Sequence, residues 1–176
     1  MAFSPRLNTD GMSGSRYWYS TTNPYYPSYG LPNCTCYAWG RFWEVNNQCG
    51  HDETPIGMIG NAVDWYNNSS AYQHGTTPKV GAVACFAGGA IGTGHVAVVE
   101  VVNGDGSIVT SNSDYGGTYF YTMTLYPPYS SGSLIFQGFI YNPYAQDPTP
   151  PTPTYATPKK GKFPWVLYAR KRKILN

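Results

Sequence analysis

The chain has 176 residues, of which 11% are charged, and a formal net charge of +2. The length suits one domain with a core and some tail. A charged fraction well below the roughly 25% of an average domain excludes a coiled coil or a charge-rich disordered chain. Tyrosine, glycine and proline fill the difference, which favours short strands, turns and aromatic packing. The small net charge hides an asymmetry. Arg6, Arg16, Arg41 and Lys79 are the only cations through Pro158, whereas Lys159, Lys160, Lys162, Arg170, Lys171, Arg172 and Lys173 crowd the end. The body is therefore net acidic, lacks a phosphate-neutralising surface, and is not expected to bind nucleic acid.

In chain order, residues 1–30 are polar and aromatic and read as an irregular arm; no apolar run in 1–20 has the look of a signal peptide or membrane span. Pro32 and Asn33 then signal a helix start, with Asn33 as cap and Cys34 in the first turn. Cys34, Tyr37, Ala38, Arg41, Phe42 and Val45 recur at three-to-four spacing and predict a helix over 34–45. A second short helix fits 61–66. From Lys79 onward the pattern becomes strands, predicted over 82–87, 95–102, 107–113, 118–125 and 134–141, with glycine and proline turns between them. Helices followed by antiparallel strands indicate an α+β fold. A Pro/Thr-rich linker is expected over 144–158 and a basic tail over 159–176.

Two positions carry chemistry. A thiol at a helix N-terminus, as at Cys34, feels the positive end of the helix dipole, which lowers its pKa. A histidine at a strand start, as at His95, could lower it further and carry a proton. The turn Asn103-Gly104-Asp105-Gly106 sets what faces His95. With Asn103-Gly104 as a two-residue turn, His95 lies opposite Asn112; with Gly104-Asp105 it faces Asp114, and Asn112 becomes the diagonal neighbour. With Asp105-Gly106 as the turn both residues lie farther along; in each case His95, Asn112 and Asp114 share one face. A three-residue loop with a bulge would spoil that count. An asparagine amide there could accept from the imidazole and orient it, the third member of a Cys–His–Asn arrangement.

These blocks resemble the CHAP family, the cysteine, histidine-dependent amidohydrolases/peptidases of peptidoglycan, especially those of phage lysins. The resemblance rests on residues 29–41, Gly60-Asn61-Ala62-Val63-Asp64-Trp65-Tyr66, residues 78–84, Gly94-His95-Val96-Ala97-Val98-Val99-Glu100, residues 105–114 and Phe139-Ile140-Tyr141-Asn142-Pro143. It implies a papain-like α+β fold, with a catalytic domain over 31–143. Cys34 is then the nucleophile, His95 the base and acid, and Asn112 the orienting residue, with Asp114 and Asn33 in support. The family often has Glu where Asn112 stands and Asn where Asp114 stands, so the third position keeps a hydrogen-bond acceptor here but loses its charge. Residues 29–33 carry no carboxylate, so no calcium is expected there, and no cofactor is implied. Tyr29, Trp39 and Trp65 could wall the substrate groove or belong to the core. The implied partner is bacterial peptidoglycan, with anionic wall polymers for the basic tail. The implied setting is release from a host cytoplasm by a phage, or delivery within a virion. Three alternatives stand beside this reading. One is two disulfides among Cys34, Cys36, Cys49 and Cys85. Another is a zinc site from Cys34, Cys36, Cys49 and His51, although a helix turns Cys36 about 200° from Cys34. The third is a non-catalytic wall-binding or virion module.

Overall fold

The computed structural model describes residues 2–10, 12 and 16–146. The expected linker beyond residue 146 and the basic tail lie outside that range. A short 3-10 turn, Tyr17–Tyr19, precedes the long helix α1, Cys34–Gln48; a second 3-10 turn, Ala62–Asp64, runs into the one-turn helix α2, Trp65–Asn68. Six strands follow: β1 His74–Gly75, β2 Val83–Gly88, β3 His95–Val102, β4 Ile108–Asn112, β5 Tyr121–Leu125 and β6 Leu134–Ile140. They form one antiparallel sheet in the order β1-β6-β2-β3-β4-β5. The fold is α+β, as expected.

Strand alternation divides the apolar residues between the two sheet faces. On one face Val83, Cys85, Val96, Val98 and Ile140 pack with Tyr37, Ala38, Phe42 and Trp65. On the other, Ala84, Phe86, Ala97, Val99, Ile108 and Phe139 form a second cluster under Tyr129. Helix α1 is buried nearly all round rather than along one stripe, because the N-terminal segment covers the side the sheet does not. Trp18, Tyr19 and Tyr25 are buried members of the same cluster as the helix. Each contributes on the order of 1.5–3 kcal/mol by leaving water. Gly40 permits that approach: a Cβ there would lie 2.5 Å from both the Trp18 carbonyl oxygen and the Tyr19 ring.

Charge is buried where segment, helix and sheet meet. The Arg41 guanidinium donates to Glu100 through Nε (2.9 Å) and Nη2 (2.8 Å), and to Glu44 through Nη1 (3.1 Å). Arg6 also pairs with Glu44, and its backbone N–H donates to Glu100 Oε2 at 2.7 Å. The Tyr19 and Ser111 hydroxyls donate to Glu44 and Glu100, at 2.9 and 2.7 Å.

The β3–β4 hairpin resolves the register. Its loop has three residues: the Asn103 N–H donates to the Ser107 carbonyl (2.8 Å), the Gly106 N–H to the Asn103 carbonyl (3.0 Å), and Gly106 takes φ +83°. By itself this loop would shift the partners, and near the turn Val102 indeed pairs with Ile108 and Val101 with Val109. Glu100 is then an extra residue on β3, beyond which Val99 pairs with Thr110 and Val98 with Ser111. Loop and bulge cancel. The pairing of the outer part is the one a Gly104-Asp105 turn would give, which sets His95 across from Asp114 with Asn112 as diagonal neighbour.

Candidate active site

The N-terminus of α1, the start of β3 and the end of β4 meet at one edge of the sheet. Asn33 caps α1: its Oδ1 accepts from the Cys36 N–H (2.8 Å) and the Thr35 hydroxyl (2.6 Å). Its own N–H donates to Ser113 Oγ at 3.1 Å, which ties the helix start to the strand carrying Asn112. Asn33 is thus committed to holding the helix. Cys34, the first helical residue, is partly buried, and the backbone N–H groups of Val96, Thr35 and Cys34 itself lie near enough to its thiol to favour the thiolate. Val96 follows His95 in β3, so this contact brings the thiol to the strand start that bears the imidazole.

His95 Nε2 lies 3.0 Å from Asn112 Oδ1. The Asn112 amide has no freedom to flip, because its Nδ2 donates to the Thr110 carbonyl (3.2 Å) and Thr110 Oγ1 (3.0 Å). A carbonyl oxygen only accepts, so the amide nitrogen must face Thr110 and the amide oxygen must face His95. In neutral His95 the proton therefore sits on Nε2 and the lone pair on Nδ1. Gly94, at φ +76°, holds the approach to the strand: a Cβ would meet the Phe86 carbonyl oxygen at 2.4 Å and the Val63 nitrogen at 2.7 Å. Phe86 lies beside the imidazole, with ring centroids 6.2 Å apart.

Electrostatics depart from the sequence expectation in one respect. Burial pushes the Cys34 thiol above its ordinary 9.0; the three backbone N–H groups pull it down by less, and the Asp114 carboxylate adds to the rise. Burial pulls the His95 imidazole below its ordinary 6.5, against the opposing influence of Asn112 and Asp114. The backbone N–H groups at the helix start do lower the thiol, but desolvation outweighs them, and burial favours the uncharged form of each group. Asp114 is held by the Tyr121 hydroxyl, which donates to its Oδ1 at 2.9 Å.

The remaining sequence candidates separate clearly. Trp39 and Trp65 are core residues and wall no groove: Trp39 packs edge-on against Trp43, and Trp65 Nε1 donates to the buried Tyr25 hydroxyl at 2.9 Å. Tyr29 is exposed, edge-on to Tyr115 at 5.8 Å. The four cysteines are free thiols. Cys36 is fully buried, with Sγ directed at the Tyr19 carbonyl (3.9 Å) and burial pushing its thiol up to about 12. Among the described residues no group of three or more His, Cys, Asp or Glu could hold a metal ion. A cavity of about 360 Å³, lined by Arg6, Asp10, Arg16, Trp18, Glu44 and Gln48 among others, lies toward the C-terminal half of α1, away from Cys34. Thr110 and Tyr121 were missed as parts of the site. Thr110 was findable by alternation, two residues before Asn112; Tyr121 required the β4–β5 register, which pairs it with Asn112.

A cysteine at a helix start that meets the strand start bearing a histidine, with an asparagine engaging that histidine, fits the architecture of a papain-like domain. The chain belongs to the CHAP domain family, whose match spans residues 21–114, more than half of the sequence. Among curated proteins it is 38% identical over 90 residues to an N-acetylmuramoyl-L-alanine amidase domain-containing protein of Staphylococcus aureus, a match covering 48% of this chain and 14% of that one. It is 35% identical over 91 residues to a probable autolysin of the same species, covering 51% of this chain and 30% of the relative. The chain thus spans less than a third of either relative. A crystal structure of an N-acetylmuramoyl-L-alanine amidase from Staphylococcus aureus aligns over 56% of this chain and 29% of that chain, at 34% identity and a TM-score of 0.45.

Proposed function

We propose that this protein hydrolyses an amide bond of bacterial peptidoglycan, as an N-acetylmuramoyl-L-alanine amidase or a stem or crossbridge endopeptidase, with Cys34 as nucleophile. The observation that carries the reading is the convergence of the Cys34 thiol with the start of β3, where the Nε2 of His95 is engaged by Asn112 and Nδ1 keeps its lone pair. Family membership, and relatives named as an amidase-domain protein and an autolysin, support the same chemistry.

In this mechanism His95 Nδ1 takes the thiol proton as Cys34 Sγ attacks the amide carbonyl carbon. The oxyanion is met by the backbone N–H of Cys34 at the capped helix start. His95 then returns the proton to the leaving nitrogen as the C–N bond breaks, leaving a thioester. Water, giving its proton to His95, releases the carboxylate product and restores the thiol. Asn112 keeps the ring in the productive tautomer throughout. Mass spectrometry of a wall digest tests the reading: new amino and carboxyl ends in the released muropeptides are expected, and their position identifies the bond. Walls left chemically unchanged would favour a binding module instead.

The active form carries one proton shared between thiol and imidazole, so the pH profile reports the second protonation and the final deprotonation of the pair. With His95 shifted down and Cys34 shifted up, the acid limb of kcat/KM is expected below the ordinary histidine value of 6.5, and the basic limb above the ordinary cysteine value of 9.0. Asn112 favours the imidazolium. Asn112→Ala should therefore move the acid limb further down in pH while lowering the plateau by about tenfold, the worth of one hydrogen bond. Movement of that limb upward in the variant would contradict the assigned role of Asn112.

A further inference from the structure

Asp114 is a carboxylate in an unusual position. It continues the alternation of Thr110 and Asn112 past the end of β4, on the face that carries His95. It is fixed there by a tight turn: its N–H donates to the Thr118 carbonyl (2.9 Å), and its own carbonyl accepts from the Gly117 N–H (3.0 Å). Its Oδ1 accepts from the Tyr121 hydroxyl, and among the described residues no ion pair includes it. The described cations are engaged elsewhere. Arg6 and Arg41 belong to the buried network, Arg16 lies over Trp18, and Lys79 lies over Tyr141. The carboxylate acts on both reacting groups: it favours a protonated His95, but it also opposes formation of the Cys34 thiolate, and a cation bound at the carboxylate would relieve that second effect.

The neighbours of Asp114 suggest what offsets it. Tyr115, the next residue, is 66% exposed, and Tyr29, five residues before Cys34, is 56% exposed. The two rings meet edge-on at 5.8 Å although they come from segments far apart in sequence. An edge-on pair leaves a ring face open to solvent. Exposed aromatic rings, one of them on the residue next to a carboxylate, suit a primary ammonium: ring faces attract the cation and the carboxylate neutralises it. A guanidinium would take both carboxylate oxygens in a fork, and Oδ1 is already engaged by Tyr121; a neutral sugar would call for a wider aromatic platform.

We infer that Asp114, flanked by Tyr29 and Tyr115, forms a subsite for a primary ammonium group on the peptide cleaved at Cys34. This rests on the hydrolase reading and adds the substrate class to it: the peptide strand carries a free amine near the cut bond. The site sits beside the nucleophile, so the amine lies within a residue or two of the scissile amide. A substrate held this way gains its charge contact on binding, and the effect falls mainly on KM.

The test compares isolated walls with walls whose amines have been acetylated by N-hydroxysuccinimide acetate. Wild-type protein is expected to lose about tenfold in kcat/KM on acetylation, mostly through KM, the size of one partly desolvated charge contact. Asp114→Asn should lower activity on untreated walls and show a native-to-acetylated ratio close to one, whereas Asp114→Glu restores the preference. Tyr115→Ala should reduce the ratio without removing it. Equal cleavage of both walls by the wild type, or an unchanged preference in Asp114→Asn, overturns the inference while leaving the hydrolase reading intact. Cleavage of neither wall overturns that reading and this inference with it.

Discussion

Cys34→Ala is expected to lower wall clearing by roughly four orders of magnitude or more, because a nucleophile that splits the reaction into two steps has no substitute in the site. The variant should still fold. The helix cap is made by Asn33 and not by the thiol, and the thiol is a small group at a partly open edge. Cys34→Ser should be nearly as inactive. The group orienting His95 is a neutral amide, so little charge supports the imidazolium that a hydroxyl nucleophile would require. His95→Ala removes the proton carrier and should cost about 10²–10⁴-fold. Cys36→Ala should keep most activity, since that thiol faces the Tyr19 carbonyl inside the core. Turbidity clearing of a wall suspension with soluble, folded variants measures all four. Clearing by Cys34→Ala at the wild-type rate would falsify the nucleophile assignment.

Arg41→Ala is expected to destabilise the protein by about 3–5 kcal/mol, a large share of the roughly 5–15 kcal/mol that holds a domain together. Its side chain and that of Glu100 are both fully buried, so removing the guanidinium strands a carboxylate with only hydroxyl and backbone donors. Arg41→Met combined with Glu100→Leu removes both charges at once and should be more stable than Arg41→Ala, because no unpaired charge is left in the core. Urea unfolding midpoints decide it; equal loss in the single and double variants would show that packing, not charge, is responsible. Glu44 gives the network a pH signature. Burial pushes its carboxyl up, but Arg41 and Arg6 more than offset that and hold it below the ordinary 4.5. A depressed carboxyl contributes stability that is fully present above the ordinary value and is lost as pH falls through the folded one. The network should therefore weaken in acid, beginning below about pH 4.5.

Much of the site was legible because its signals are local. Asparagine at a cap followed by an apolar-periodic run marks the start of α1, and the valine-rich run from His95 marks β3 over the range expected. Where distant contacts decide, the sequence was silent. The helix was expected to stop at Val45 but continues to Gln48, because Asn46 donates to the Glu53 carbonyl (2.6 Å) and accepts from Asn142 (2.7 Å), which overrides its weak helix propensity. Strand β5 begins at Tyr121, not Thr118, since Asp114 to Thr118 closes a turn. The two residues of β1 are too few for any periodicity and exist through pairing with β6. Burial of Trp18, Tyr19 and Tyr25 by the N-terminal segment could not be read from composition, because aromatic residues in an irregular stretch look alike whether they pack or not.

The extra residue at Glu100 has a reach beyond its own salt bridge. It corrects the phase of the hairpin, so the same position that neutralises Arg41 also decides whether Asn112 faces the imidazole or the opposite side. Drift in the length of the 103–107 loop is therefore coupled to the strand. A loop of another length keeps the active edge only where the change is absorbed in the loop itself or in the kink of β3, so that Val99 still meets Thr110.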